Sequence, residues 1–200
     1  MKGFTLLEIL TVIFLLMVII SITAIVIKPQ IFFQRSRDLK RINDLRSLEI
    51  AINTYLTSTS TPVLGPANRG YGESSPTVFI SIPYDKEDKR NNFVGGFYIY
   101  QVSSTDLYKI NGSGWLPINF TSMIYLPLNF LPVDPLNSYS AKFFYSYVFR
   151  RNPPSFEINA NLEYPPFKFG GSEDKVSFDG GNNNYIFEVG SDKNLMSNVY

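Results

Sequence analysis

The sequence contains neither cysteine nor histidine. These absences exclude thiol nucleophiles, imidazole-based serine triads and the usual zinc and iron ligand sets. A domain without cysteine has no disulfides, so packing or a hard metal ion must hold it together if it is exported. Charge is scarce at one end, where Lys2 and Glu8 are the only charged side chains between Met1 and Ile27. No nucleotide-binding glycine pattern and no internal repeat occur.

The stretch Phe4 to Ile27, charged only at Glu8, is an apolar run of about 24 residues. At 1.5 Å per residue it reaches roughly 36 Å, enough to cross a bilayer core, and it is expected to be a transmembrane helix. A cleaved secretory signal would have a shorter apolar core ending in a small-x-small site. Here Ser21-Ile22-Thr23-Ala24 runs on into further apolar residues.

Beyond this run the composition changes. Lys28 to Arg46 holds six basic residues against Asp38 and Asp44, a net of +4, whereas Ser47 to Tyr200 holds 11 basic against 14 acidic, a net of −3. The basic cluster lies beside the apolar run, where lipid headgroups or solvent account for it, and a nucleic-acid partner is not expected. From Leu39 to Leu56 apolar residues step by three and four, the pattern of an amphipathic helix. Pro29 is expected to kink one long helix and not to end it. The organisation read from the chain is a leader at 1–3, a transmembrane helix at 4–27, its amphipathic continuation at 28–56, and a β-rich domain at 57–200 packed on 39–56.

Residues 57–77 are rich in Ser, Thr, Gly and Pro and read as a surface loop or a flexible linker. Five β-like runs follow, at Val78–Ile82, Phe97–Val102, Phe143–Phe149, Phe156–Leu162 and Tyr185–Val189. The alternation of Phe156, Ile158, Ala160 and Leu162 predicts one buried face, with Glu157 on the solvated one. Turn signals such as Gly95-Gly96 and Asp134-Pro135 predict an antiparallel meander, so the fold class is α+β. Paired carboxylates can hydrolyse glycosides, but nothing in the sequence pairs these, and no enzymatic activity is expected. Trp115 and the other aromatics are expected in the core.

The segment Ser172 to Asn184 (SEDKVSFDGGNNN) offers oxygen ligands from Asp174, Asp179 and Asn182 on a Gly-rich backbone, the donor type Ca²⁺ prefers. It lacks EF-hand spacing, and a plain Gly/Asn turn explains it as well.

The opening Met-Lys-Gly-Phe-Thr-Leu-Leu-Glu resembles the signal of type IV prepilins and type II secretion pseudopilins: a short basic leader, a Gly-Phe junction, and a Glu four residues after the Phe. The order of helix, loop and sheet is similar to the pilin fold. The resemblance implies cleavage between Gly3 and Phe4 by prepilin peptidase, N-methylation of Phe4, and a role for Glu8 in assembly. It implies copies of the same chain and related pilins, an assembly platform and membrane lipid as partners. It implies a single-pass membrane protein with its distal domain exported, then part of a pilus-like filament or secretion pseudopilus. Major pseudopilins bind calcium in a similar C-terminal loop, which implies the same for this one. A signal-anchored, non-polymerising adhesin or DNA-uptake receptor is the alternative.

Overall fold

The computed structural model describes residues 3–27, 29–123 and 128–196. Helix α1 spans Leu6–Ile27 and helix α2 spans Pro29–Ser58. Met1 and Lys2 of the expected leader, and Lys28 at the expected helix boundary, lie outside the described residues. Pro29 is the first described residue of α2, so the expected kink falls beside a residue outside the described ones. In α1 the few polar side chains bond back to their own helix, Ser21 Oγ donating to the Met17 carbonyl at 2.7 Å and Thr23 Oγ1 to that of Ile19 at 3.0 Å.

The buried stripe of α2 is Asp38, Arg41, Ile42, Leu45, Leu48, Ala51, Ile52 and Tyr55. The three-and-four spacing is the expected one, but its first turns differ from the expectation. Leu39, where the expected apolar pattern begins, is 45% exposed, whereas the charged Arg41, which lies between the apolar positions, is fully buried.

Six strands form one sheet in the order β2-β3-β1-β4-β5-β6: β1 Thr77–Ile80, β2 Phe93–Val94, β3 Phe97–Tyr100, β4 Tyr145–Arg151, β5 Pro154–Ala160 and β6 Phe187–Gly190. The sheet is mixed and not the expected antiparallel meander, because β1 pairs with β3 in parallel. Gly95 and Gly96 both adopt positive φ and close a tight β2–β3 hairpin. That hairpin swings back so that β3, its second arm, lies beside β1. Turn residues disclose where the chain reverses, not which earlier strand it returns to.

Both faces of the sheet are covered, against the expectation of one. Leu45, Leu48 and Ile52 of α2 pack with Phe79, Tyr147, Phe149, Phe156 and Ile158 on one face, where Trp115 is also buried. On the other, Leu195 and Met196 cover Val78, Ile80 and Val148. This second layer corrects the placement of Glu157, which is fully buried beneath it.

Contacts along α2 give the domain its direction. Arg35 meets Glu173, Asp38 meets the backbone of Glu163 and Tyr164, Asp44 meets Tyr145, Glu49 meets Gly190, and the Tyr55 hydroxyl meets Val63. The segment 163–175 therefore lies at the α1 end of the domain.

Candidate functional site

Gly3 is exposed, and a Cβ added there would touch nothing within 4 Å. Phe4 is 81% exposed. Thr5 then caps α1: its N–H and hydroxyl donate to Glu8 Oε2 at 3.1 and 3.2 Å, and the Glu8 N–H donates to Thr5 Oγ1 at 3.3 Å. This reciprocal capping box satisfies two otherwise orphaned donors, and the carboxylate suits the positive end of the helix dipole. The Thr5-x-x-Glu8 spacing was legible in the sequence as a capping box, a use of Glu8 separate from assembly. Every large apolar side chain from Leu6 to Ile20 is exposed. Leu6–Thr23 is the one stretch among the described residues long and apolar enough to span a membrane, and none of it is buried within the chain.

In the C-terminal loop, Asp174 organises backbone. Its Oδ1 accepts the N–H groups of Val176 and Ser177, both at 3.0 Å, and its Oδ2 accepts the Gly170 N–H at 2.8 Å and the Ser177 hydroxyl at 2.7 Å. Those bonds, the Ser177 N–H foremost, hold its carboxyl down at about 2. All four in-plane lone-pair positions are thereby occupied. Asp179 accepts from the Gly181 and Glu188 N–H groups, each at 2.8 Å, and retains acceptor capacity on both oxygens. Burial raises its pKa. The Lys193 amine donates to the Asp179 carbonyl. Asn182 is exposed. Among the described residues no group of three or more acidic side chains is arranged to hold a metal. Calcium at this loop would draw on Asp179, Asn182 and loop carbonyls more readily than on Asp174.

Sequence reasoning missed two buried polar clusters. Glu157 and Glu188 lie on the covered second face, next to Asn159, which pairs with Glu188 across β5 and β6. Glu157 Oε2 accepts the Leu195 and Met196 N–H groups at 2.7 and 2.8 Å, fastening the segment that covers it. Glu188 Oε2 accepts the Asn183 N–H at 2.9 Å, and its Oε1 has no hydrogen-bond partner. Burial, then the neighbouring Glu157 and Asp179 charges, push the Glu188 carboxyl up to about 8, and burial also raises Glu157.

The other cluster centres on Arg41. Its guanidinium grips Asp134 with two bonds of 2.5 and 3.0 Å and also reaches Asp38 at 2.6 Å and Glu163 at 2.5 Å. Arg37 holds the same Glu163 through a second fork at 2.6 and 2.8 Å. Asp134 in turn accepts the Leu136 N–H and caps the turn after Pro132. Burial disfavours the Arg41 charge, but three carboxylates outweigh it and its pKa is raised. At Asp38 burial wins, and its pKa rises despite the ion pair. Much of the basic cluster beside the apolar run is thus consumed within the chain. The chain matches no family model, no curated protein and no solved structure.

Proposed function

We propose that the chain is a structural subunit of a type IV pilus-like filament or type II secretion pseudopilus, cut after Gly3 and polymerised through its N-terminal helix, with no catalytic role. One observation carries the reading: an open Gly3-Phe4 junction precedes a helix whose large apolar side chains from Leu6 to Ile20 are all exposed and which bears a single carboxylate, Glu8, one turn in. Exposed apolar surface of this extent needs lipid or neighbouring copies to cover it. After cleavage the Phe4 amine is positive below about 7.7–8. In a water-excluded filament core, Glu8 of a neighbouring subunit would neutralise it. Calcium at Asp179, Asn182 and the loop carbonyls near Asp174 belongs to the same reading. It predicts that calcium raises the Tm of the domain and that chelator reverses the rise.

The capping box favours the second reading, a signal-anchored binding protein, because it gives Glu8 a role without any neighbour. Glu8→Gln retains the cap and loses the charge, whereas Glu8→Leu loses both. On the filament reading both variants are cleaved after Gly3, as mass spectrometry of the mature amino terminus would record, yet neither enters filaments. Filaments of normal number and length from Glu8→Gln would remove the assembly role. An intact Met1 in the wild-type protein would remove the family reading altogether.

A further inference from the structure

We propose that the 163–185 face of the globular domain rests on the headgroup layer of the membrane that α1 crosses. The inference relies on the anchor reading of α1 and goes beyond it, because it assigns a lipid-binding surface to the water-soluble part of the chain.

The position of this face follows from the strands. Strand β5 leads to Glu163, which pairs with Arg37 and Arg41 near the start of α2, so β5 runs toward the α1 end. Strand β6 is antiparallel to β5, with Phe187 opposite Ala160 and Gly190 opposite Glu157, so Tyr185, just before β6, also lies at that end. Phe169 and Tyr185 meet there, their rings tilted by 53° with centroids 5.4 Å apart. Arg35 fixes the loop to α2, paired with Glu173 at 3.1 Å, its guanidinium 5.6 Å above the Tyr164 ring. Arg35 is eight residues past Ile27, about 12 Å by helical rise. A bilayer of about 30 Å hydrocarbon and about 40–45 Å overall has a headgroup layer of roughly 5–8 Å on each side. Helix α1, at 22 residues, accounts for the hydrocarbon; Phe32 and Phe33 then fall near the outer edge of the headgroups, and the Arg35 backbone about 4–7 Å beyond it, from where its long side chain reaches back.

The chemistry of the face suits that depth. Phe169, Phe178 and Tyr185 are 52%, 84% and 70% exposed, and Phe32 and Phe33 on α2 are exposed at the same level of the chain. At headgroup depth the Tyr185 hydroxyl meets the polar layer, and the Phe rings bury apolar surface at the acyl boundary. The charges are sorted by sign. Glu163 is nearly buried under two arginines, Asp174 is turned onto loop backbone, Asp179 is bonded inward, and Glu173 is held by Arg35. Lys168 and Lys175 are exposed, the Lys175 amine 5.7 Å over the Phe167 ring. Exposed cations among exposed aromatics are complementary to an anionic lipid surface, where each basic side chain raises binding about fivefold.

The absence of cysteine makes a single introduced thiol a unique labelling site. The full chain is reconstituted in phosphatidylcholine–phosphatidylglycerol vesicles, with a nitroxide at Phe169→Cys, Val63→Cys or Phe14→Cys in separate samples. Collision with a water-soluble nickel chelate and with oxygen is then measured. The expected result is a Phe14 site reached by oxygen alone, a Val63 site fully open to nickel, and a Phe169 site shielded from nickel. The Phe169 shielding should grow with the phosphatidylglycerol fraction and shrink severalfold in Lys168→Glu/Lys175→Glu. A Phe14 site open to nickel overturns the anchor, and the contact with it. A lipid-buried Phe14 site with Phe169 as open as Val63 overturns the contact alone. Shielding at Phe169 that ignores anionic lipid, but brings label–label broadening as protein density rises, assigns the face to a second copy and equally overturns the proposal.

Discussion

Helices α1 and α2 are near neighbours in sequence with the same backbone geometry, yet they solve burial in opposite ways. No residue of the apolar stretch Leu6–Thr23 is buried within the chain. The far more polar α2 buries eight, two of them charged. Hydrophobicity alone therefore does not say what is inside this molecule. The apolar half must be covered from outside the chain, whereas the polar half is covered by the sheet and tied down by ion pairs. Substitutions in the two helices should accordingly read out in different assays.

The largest effect on the stability of the 29–200 domain is expected at Arg41. Arg41→Met strips Asp38, Asp134 and part of Glu163 of their counter-ion in a buried site, and should cost about 3–5 kcal/mol in urea unfolding. Adding Asp134→Leu should recover part of the loss, since an ion pair removed whole is tolerated better than one halved. A loss below about 1 kcal/mol would mean that the cluster does not anchor α2. Next, Leu48→Ala, which empties a fully buried site against the sheet, should cost about 2–5 kcal/mol.

A further effect concerns pH. Glu188 has a folded pKa of about 8, raised by burial and by Glu157 and Asp179, above its ordinary value in the unfolded chain. The folded state holds this proton more tightly, so stability is greatest below the ordinary carboxylate range. It declines as pH rises from there to about 8, and the contribution levels off above. Glu188→Gln keeps an acceptor for the Asn183 N–H and should flatten that decline in chelator-treated protein. An unchanged pH profile would assign the decline to other groups.

The smallest effect tests the contrast from the other side. Leu16→Ala in α1 removes as much apolar side chain as Leu48→Ala, but the side chain is exposed and the domain's unfolding should move by less than about 0.5 kcal/mol. Loss of domain stability from that change would mean that α1 packs on the domain after all.

The sequence was most informative where one local rule decided the outcome. The apolar run of α1, the three-and-four stripe from Leu45 to Tyr55, and the alternation in β5 each follow from a single periodicity. The same rule misplaced Glu157, because alternation says which side chains share a face and not whether a distant segment covers the other. Residues 195 and 196 do so, some 38 positions later in the chain. Arg41 misled for a related reason: its partners Asp134 and Glu163 are 93 and 122 residues away, and no local pattern connects them. Of the candidate site residues, Gly3, Phe4 and Glu8 are defined by adjacency, and their spacing was readable at once. Asp174 and Asp179 were readable as a loop rich in oxygen donors. What those donors bond to in this structure, largely the loop's own N–H groups, depends on how the loop closes.

By itself the sequence determined the division into a lipid-length apolar helix and a water-facing α+β remainder, because chain length, charge and periodicity are properties of neighbouring residues. Only the tertiary structure decided the parallel pairing of β1 with β3, the covering of the sheet's second face, and the burial of Glu157, Glu188 and Arg41. Those outcomes rest on contacts between segments far apart in the chain. A charged side chain is buried or solvated according to whether partners and a cover arrive from elsewhere to offset its desolvation, and no stretch of sequence carries that information alone.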